Sequence, residues 1–503
     1  MEEFVLGVDL GTSAVKVSAV NKSGQIIAQQ SCSYPLSHPQ IGFSEQDPND
    51  WVQGTTTAIQ QLLEHGHIQA EQIAGISFSG QMHGLVLLDQ NQQVLRPAIL
   101  WDDTRTTIQC QEIKQKMGND FVKITHNQPL EGFTLPKLLW VQENEPDIWQ
   151  KVKTFLLPKD YVRFCMTGKL ATDFSDATGT VMIDIQQKNW SSAICQAFDI
   201  PLSICPSLLF AHNLAGYISD KYAHLSGLKT KTPVFAGAAD NAASALGAGI
   251  LDTNTILASI GTSGVVLKYE PESHTNYQGI LQFEDHAFDQ GYYSMGVTLA
   301  AGDSLNWFKK NFFPQQSFND MVQSANQAPI GAHGLIYTPY LVGERAPYAD
   351  AQIRGSFIGL DRSQTRTDFV RAVLEGIVFS LKDLMQIYIE NNSPFTQVIA
   401  TGGGAKSPLW LQIQADIFNK PVIRLANEQT ASLGAAMTAA VGLGWYSDFQ
   451  DCRKTFVKIK DTYLPNSVNV KPYQQLYQIY HQVYSQTQQL SADLIKFRQQ
   501  NNL

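Results

Sequence analysis

The stretch Gly7-Val8-Asp9-Leu10-Gly11-Thr12-Ser13 decides the fold, because it sets a carboxylate and a tight turn at the end of an apolar, strand-forming run. Residues 14–20 then alternate apolar and polar side chains, and a second turn leads into residues 25–29, which predicts three antiparallel strands. The N–H groups and hydroxyls of the Gly-Thr-Ser turn suit phosphate oxygens, and a carboxylate such as Asp9 can hold a water of a bound magnesium ion. The hairpin therefore predicts a nucleotide site.

A second Gly-Thr-Ser turn recurs in Ala258-Ser259-Ile260-Gly261-Thr262-Ser263-Gly264, again between apolar segments. A single turn of this kind most often only reverses the chain. Its recurrence in the second half of the sequence instead predicts two related lobes, each of which offers a phosphate loop to one nucleotide between them.

The length of 503 residues is too great for one compact core, so we expect two domains. Strand-like runs alternate with amphipathic segments such as residues 51–65 and 366–391, which predicts an α/β architecture. We place the domain boundary at the small residues Gly247-Ala248-Gly249, which gives domains of residues 1–248 and 249–503. The polar tail, residues 470–500, is predicted to be a helix whose tyrosines pack against the body of the protein.

The charge and cysteine content exclude several classes of protein. A net charge of -9 disfavours nucleic acid or an anionic membrane as the main partner. The 6 cysteines are scattered without a Cys-x-x-Cys pair, which argues against a zinc site and a disulfide framework. The acidic start of the chain and the lack of an apolar run of roughly 20 residues predict a cytoplasmic location.

A second carboxylate, Asp240, follows the small residues Ala236-Gly237-Ala238-Ala239 at the predicted start of a helix. An aspartate there is most often a helix cap. The small neighbours, however, leave room for a ligand, and an ionised carboxylate can accept a proton from a sugar hydroxyl during phosphoryl transfer. Asp240 is therefore the candidate catalytic base.

A third glycine-rich segment, Thr401-Gly402-Gly403-Gly404-Ala405-Lys406-Ser407-Pro408, lies between a predicted strand and a predicted helix. Consecutive glycines let the backbone approach a ligand closely, and adenine or ribose could lie against them. The segment matches neither a Walker A loop nor a dinucleotide fingerprint, and a simple turn is the alternative.

Together these segments resemble the FGGY family of carbohydrate kinases, which shares its fold with actin and hexokinase. The markers are the Asp9 hairpin, residues 236–241, the Gly261 hairpin, residues 340–347 and the Gly402 loop. The resemblance implies an α/β fold of two ribonuclease-H-like lobes with a central cleft. It also implies ATP and Mg²⁺ as cofactors, with MgATP held mainly by the C-terminal lobe and the sugar by the N-terminal lobe.

Residues 79–84, 132–140 and 171–177 resemble in particular the branch of the family that phosphorylates D-xylulose at its 5-hydroxyl. By that resemblance Asp240 is the catalytic base, and the sugar contacts are Met82, His83, Asp240, Asn241, Trp101 and Asp102. Asp9 is the implied magnesium residue. The implied nucleotide-binding residues are Thr12, Ser13, Gly261, Thr262, Trp307, Gly403, Gly404, Ala405 and Ser407.

Three alternatives stay open. Residues 101–105 also suit a family member that acts on gluconate, although residues 79–84 supply no cation for a gluconate carboxylate. An ATPase or nucleotide switch on the same fold, or a sugar sensor without catalysis, is the alternative from another class. The expected partners are a small-molecule sugar and, as a candidate assembly, a homodimer, with neither nucleic acid nor a membrane.

Overall fold

The computed structural model describes residues 2–274 and 276–501. The chain forms two compact units. Unit 1 comprises Met1–Leu251, Glu270–Tyr293 and Gln429–Lys458, and unit 2 comprises Asp252–Tyr269, Ser294–Glu428 and Ile459–Leu503. The predicted ranges 1–248 and 249–503 are continuous, whereas each unit combines separate stretches of the chain. Residues 270–293 and 429–458 pack with the N-terminal residues.

The strands and helices before residue 252 are, in chain order, β1 (Phe4–Leu10), β2 (Ala14–Asn21), β3 (Ile26–Ser33), β4 (Glu45–Gln46), α1 (Pro48–His65), β5 (Ile73–Gly80), β6 (Val86–Leu88), β7 (Ala98–Ile99), α2 (Thr107–Met117), α3 (Asn119–Thr125), α4 (Thr134–Asn144), α5 (Pro146–Trp149), β8 (Thr154–Leu156), α6 (Pro158–Thr167), β9 (Ala171–Asp173), α7 (Phe174–Thr178), β10 (Ile183–Asp184), β11 (Asn189–Trp190), α8 (Ser192–Ala197), β12 (Ser207–Leu209), β13 (Leu214–Tyr217), α9 (Asp220–Ser226), β14 (Pro233–Phe235), β15 (Ala238–Ala239) and α10 (Asp240–Ala248).

Those after residue 252 are β16 (Thr255–Ile260), β17 (Gly264–Glu270), β18 (Gln282–Asp285), β19 (Tyr292–Thr298), α11 (Gly302–Phe312), α12 (Phe318–Ser324), β20 (Ile336–Thr338), β21 (Ser356–Ile358), α13 (Arg366–Glu390), β22 (Gln397–Gly402), α14 (Pro408–Phe418), β23 (Val422–Leu425), α15 (Thr430–Gly442), α16 (Phe449–Phe456), β24 (Ile459–Tyr463) and α17 (Ser467–Gln500).

The main sheet of unit 1 has the strand order β13-β14-β5-β1-β2-β3, with β15 paired to β5. The predicted meander is confirmed, since β1, β2 and β3 pair antiparallel. Strands β1 and β15 both run parallel to β5, in registers that pair Leu10 with Gly80 and Ala239 with Gly80. The carboxyl ends of three parallel strands therefore meet at one edge of the sheet, where α/β proteins commonly bind their ligands.

Helix α15 packs closely against both β1 and α10, because small residues line these contacts. A Cβ atom on Gly7 of β1 would lie 2.1 Å from the carbonyl oxygen of Ser432, and one on Gly434 would lie 1.9 Å from that of Ala243. This close packing explains why residues 429–458 belong to unit 1 although they come late in the chain.

In unit 2 the strands of the main sheet follow the order β19-β17-β16-β22-β23-β24. The second Gly-Thr-Ser hairpin is confirmed as the antiparallel pair of β16 and β17. Strands β16 and β22 are parallel, with Ile260 opposite Gly402, so the Gly261 turn and the Gly402 loop leave the sheet at the same edge.

The C-terminal helix α17 confirms the predicted packing of the tail. Tyr473, Tyr477 and Tyr480 are buried, and the hydroxyls of Tyr473 and Tyr477 donate to buried carboxylates of α13. Among the residues that the structure describes, no helix has the length and apolarity that a membrane span requires.

Candidate active site

Asp9 lies at the edge of the unit 1 sheet where the parallel strands end. The hydroxyl of Ser79 on β5 donates to Asp9 Oδ1 at 2.9 Å, and Lys16 lies opposite Asp9 in the β1–β2 register. Burial raises the pKa of Asp9, while the Ser79 hydrogen bond and the charge of Lys16 oppose that rise. Asp9 is thus a carboxylate held in place by one hydroxyl.

The Gly-Thr-Ser turn after Asp9 is fixed by three side chains from other segments. The Tyr34 hydroxyl donates to the carbonyl oxygen of Gly11. The Gln46 amide donates to the Thr12 carbonyl at 2.7 Å, and the Trp101 indole donates to the Thr12 hydroxyl at 2.9 Å. Trp101, Asp102 and Ser13 are exposed, and its hydrogen bond to Thr12 places Trp101 beside the turn.

Asp240 is the first residue of α10, and its side chain turns back to the helix start. Its Oδ1 accepts hydrogen bonds from the backbone N–H of Asn241 at 2.7 Å and from the Asn241 side-chain amide at 3.1 Å. The same amide nitrogen lies 3.3 Å from Met82 Sδ, which brings three predicted sugar contacts together. Burial, and secondarily the negative charge of Asp9, raise the pKa of Asp240 to about 7.

His83 occupies a left-handed backbone conformation, with a φ of 67°, and its ring is fixed on two sides. Nδ1 donates to the carbonyl oxygen of Gly179 at 2.8 Å, and the ring contacts Phe133 edge-on at a centroid distance of 4.8 Å. The backbone carbonyl of His83 accepts from Lys137 Nζ at 2.8 Å and from the Thr134 hydroxyl at 3.1 Å. Contacts with neighbouring residues therefore hold His83 in a backbone conformation that non-glycine residues rarely adopt.

Two buried groups beside this site were not found by sequence reasoning. Burial lowers the pKa of Lys137 to about 7, although its amine donates to two backbone carbonyls, those of His83 and Gly132. Glu284 accepts a hydrogen bond from the Tyr293 hydroxyl at 2.7 Å, and burial, reinforced by the charges of Asp240 and Asp285, raises its pKa to about 8. No motif around Glu284 indicates that it lies near Asp240, because the two residues are distant in the sequence.

A cavity of about 470 Å³ opens in unit 2 at the shared end of β16 and β22. Its volume lies within the range of small-molecule sites. Its lining residues come from the Gly261 turn, the Gly402 loop and the faces of α11, α12 and α14: Ile260, Gly261, Thr262, Gly302, Leu305, Asn306, Phe318, Asn319, Val322, Gly403, Gly404, Lys406, Ser407 and Trp410.

The glycines of the cavity fall into two groups. Gly302 and Gly404 are required by packing, because a Cβ atom would lie 2.3 Å from the Gly261 carbonyl oxygen and 2.7 Å from the Ile260 side chain. Gly261 and Gly403 are not, since the nearest atoms to a Cβ there lie at 3.7 Å and 3.5 Å. Glycines that packing does not require leave the backbone open, which suits the close approach of a ligand such as a nucleotide.

Five of the predicted nucleotide-binding residues line this cavity: Gly261, Thr262, Gly403, Gly404 and Ser407. Trp307 and Ala405 do not. Trp307 lies on a different side of α11 from the lining residues Leu305 and Asn306, is 38% exposed and contacts Phe312 edge-on, while Ala405 is buried. The spacing of residues 302, 305 and 306 on one helical face is the signal that could have indicated the lining.

The donor set around Asp9 is small. Among residues 2–274 and 276–501 no group of three or more histidine, cysteine or acidic side chains is arranged to hold a metal ion. Mg²⁺ is commonly held by only one or two carboxylates while it keeps several waters and binds substrate phosphates. A lone Asp9 beside a hydroxyl-bearing turn fits that mode.

The family models match both halves of the chain. The N-terminal domain of the FGGY family of carbohydrate kinases matches residues 4–247, and the C-terminal domain matches residues 256–443. The chain belongs to the FGGY family of carbohydrate kinases. This membership confirms the resemblance and the predicted fold class of two ribonuclease-H-like lobes.

Individual relatives of this FGGY kinase carry two substrate names. It is 50% identical to the xylulose kinase of Bacillus subtilis (strain 168) over 496 residues, 99% of each chain. It matches the ligand-bound xylulose kinase of Lactobacillus acidophilus with a TM-score of 0.91 and 28% identity, over 96% of this chain and 98% of that one. The gluconate kinase of Lactobacillus acidophilus matches with a TM-score of 0.92 and 28% identity, over 97% and 99%. The fold alone therefore does not distinguish the two substrates.

Proposed function

We propose that this FGGY kinase transfers the γ-phosphoryl group of ATP to the 5-hydroxyl of D-xylulose. The observation that carries the proposal is the cluster formed by Met82, Asp240 and Asn241 in unit 1, with His83 directly after Met82 in the sequence. It joins a candidate proton acceptor to the segment that resembles D-xylulose kinases. The 50% identity to a protein named xylulose kinase, over nearly the full length of both chains, supports the same substrate.

Asp240 would act as the general base. A pKa of about 7 leaves a large fraction of the carboxyl ionised at neutral pH, while keeping it basic enough to accept a hydroxyl proton. Met82, His83 and Asn241, with Trp101 and Asp102 at the exposed side, would orient the sugar so that one hydroxyl faces this carboxylate.

MgATP, when bound, supplies the phosphoryl group and screens its charge. Asp9 would hold the metal through its water shell, and the turns that contain Thr12, Ser13 and Thr262 would bind phosphate oxygens. The adenosine part would take the glycine-lined cavity beside Gly403, Gly404 and Ser407. We accordingly propose that residues 1–248 carry the sugar site and residues 249–503 the adenosine part of the nucleotide site.

Gluconate is the second candidate substrate, because the gluconate kinase matches as closely in structure. A gluconate carboxylate needs a cationic partner. Arg105 does not offer one, since it is 1% exposed, binds Asp103 and Glu45, and lies 3.6 Å from the centre of the Phe43 ring. Lys137 is occupied by two carbonyls. These contacts favour an uncharged ketose.

The test is a coupled ADP-release assay of the purified protein with D-xylulose, D-ribulose, gluconate, glycerol and no sugar. We expect kcat/KM for D-xylulose to exceed that for gluconate by at least about tenfold, the discrimination expected from a missing cationic partner. A preference for gluconate would overturn the substrate assignment. ADP release that is equal with and without sugar would overturn the kinase proposal in favour of an ATPase.

A further inference from the structure

The segment from Ala171 to Ala177 resembles the D-xylulose kinases, yet it contributes no residue to the proposed sugar or nucleotide contacts. It forms β9 and the short helix α7. Asp173 caps this helix, because its Oδ2 accepts from the backbone N–H of Ser175 at 2.9 Å. The Ser175 hydroxyl donates to the same carboxylate oxygen.

The Ser175 hydroxyl also bonds to the residue that precedes the candidate base. Its oxygen accepts from the backbone N–H of Ala239 at 3.1 Å. Ala239 is the last residue of β15, and Asp240 is the first of α10. The position of the Asp240 backbone is therefore tied to Asp173 through one buried hydroxyl.

Asp173 is itself anchored by a buried ion cluster. Lys159 Nζ lies 2.7 Å from Asp173 Oδ1, 2.8 Å from Asp160 Oδ1 and 2.9 Å from Asp176 Oδ2, and all four residues are buried. Arg163 adds a second cation, 3.0 Å from Asp160. Burial raises the pKa of Asp176 well above its usual value, while the charge of Lys159 opposes that rise.

The other end of α7 meets His83. The carbonyl oxygen of Gly179, directly after the helix, accepts from His83 Nδ1 at 2.8 Å. A Cβ atom on Gly179 would lie 2.7 Å from the same nitrogen, so the contact requires glycine. Helix α7 thus connects at one end to the base and at the other to the histidine that is proposed to bind the sugar.

We infer that Ser175 is a positioning residue, which fixes the Asp240 carboxylate relative to His83 through the Ala239 N–H. This inference rests on the proposed role of Asp240 as the base. Ser175 needs no contact with sugar or nucleotide in this role. Its loss should impair the chemical step more than sugar binding, because a displacement of about 1 Å in a catalytic group can cost about 10²-fold in rate.

The experiment compares Ser175→Ala with Ser226→Ala. Ser226 is a matched control, because its buried hydroxyl also accepts a backbone N–H, that of Leu228, and donates to an oxygen, the Tyr222 carbonyl. We expect Ser175→Ala to lower kcat about tenfold or more with KM for D-xylulose changed less than about twofold, and Ser226→Ala to change neither. Ser175→Thr, which restores the hydroxyl, should recover kcat to within about threefold of the parent.

Hydrogen exchange gives a reading that does not depend on activity. Peptides that contain Ala239 should exchange faster in Ser175→Ala than in the parent and in Ser226→Ala, because the N–H loses its acceptor. Unchanged exchange there, unchanged kcat, or equal losses in both alanine variants would overturn the inference. If the parent protein fails to phosphorylate D-xylulose while Ser175→Ala still exchanges faster than the parent at Ala239, the proposed substrate is overturned and the Ser175 contact stands.

Discussion

At the scale of single residues, the charge of one carboxylate at the unit 1 sheet edge acts on the other. Asp9 and Asp240 both have raised pKa values, and the charge of Asp9 contributes to the rise at Asp240. The two are nevertheless distinct in their partners, since Asp9 accepts from a serine hydroxyl and Asp240 from the asparagine that follows it. This difference fits one carboxylate for a metal ion and the other for a proton.

The change Asp240→Asn is expected to lower kcat by about 10²–10⁴, because it removes the proton acceptor and keeps the shape of the side chain. Sugar affinity should be largely kept, since Met82, His83 and Asn241 are untouched. Steady-state kinetics with D-xylulose and a calorimetric sugar titration check this. A folded variant with near-parental turnover would show that another group is the base.

The pH dependence follows from the same group. Because the base must be ionised, kcat should fall as the pH drops below the Asp240 pKa of about 7, with a slope approaching one on a logarithmic plot. A profile that is flat from about pH 5 to pH 8 would contradict the assignment.

Stability should change with pH in the opposite direction. The pKa of Asp240 is higher in the folded protein than its value of 3.8 in the unfolded chain, so protonation of Asp240 stabilises the folded state. This contribution to the free energy of unfolding is complete below pH 3.8 and is lost as the pH rises to about 7. Asp240→Asn does not titrate there. The difference between the unfolding temperature of Asp240→Asn and that of the parent should therefore shift in favour of the variant between those two pH values. Above them it should stay constant, and thermal melts of both proteins across that pH range check this.

At the scale of elements, both sites form where parallel strands end beside turns of small residues. In unit 1 the ends of β1, β5 and β15 meet, and in unit 2 the ends of β16 and β22 meet. Strand pairing, rather than sequence proximity, brings Asp9, Met82 and Asp240 to one edge. The unit 2 edge differs because it opens on a cavity lined by three helices.

Substitution of the cavity glycines separates binding from packing. Gly403→Ala should raise KM for ATP about tenfold, because its methyl group would occupy ligand space, while the unfolding temperature stays near that of the parent. Gly404→Ala should lower the unfolding temperature, because its Cβ would lie 2.7 Å from the Ile260 side chain. Kinetics with varied ATP and thermal melts of both variants check this. An unchanged KM for ATP in Gly403→Ala would place the nucleotide elsewhere.

Much of this element-level organisation could be predicted from the sequence. The two hairpins, the long helices α1 and α13 and the helix after the Gly402 loop all follow from local patterns of apolar residues, turns and caps. Trp307, predicted at the adenosine site, does not line the cavity of unit 2, because a motif predicts a helix but not which face of the helix meets the cavity. The contacts of Lys137, Ser175 and Glu284 join residues that are distant in the sequence, and a single sequence does not show which distant residues meet.

At the scale of the whole molecule, the chain divides its proposed tasks between two units that are interleaved in sequence. Residues 429–458 lie near the C-terminus, yet α15 packs against β1 and α10 in unit 1. The small residues that allow this approach let α15 contact both α10, which begins at Asp240, and β1, which carries Asp9. The predicted range 249–503 includes α15, whereas the contacts within the chain group α15 with unit 1.

Ligand protection measured by hydrogen exchange tests the division of tasks. D-xylulose alone should slow exchange in unit 1 at residues 79–84 and 238–241, and a non-hydrolysable ATP analogue alone should slow it in unit 2 at residues 260–262 and 403–407. A ligand that binds only the native state reduces local opening most where it contacts the protein, which is why each ligand should protect its own loops. Gluconate at the same concentration is the control and should protect neither set. Protection of residues 403–407 by D-xylulose alone, with none at residues 79–84, would reverse the assignment of sugar and nucleotide to the two units and, with it, the role of Asp240.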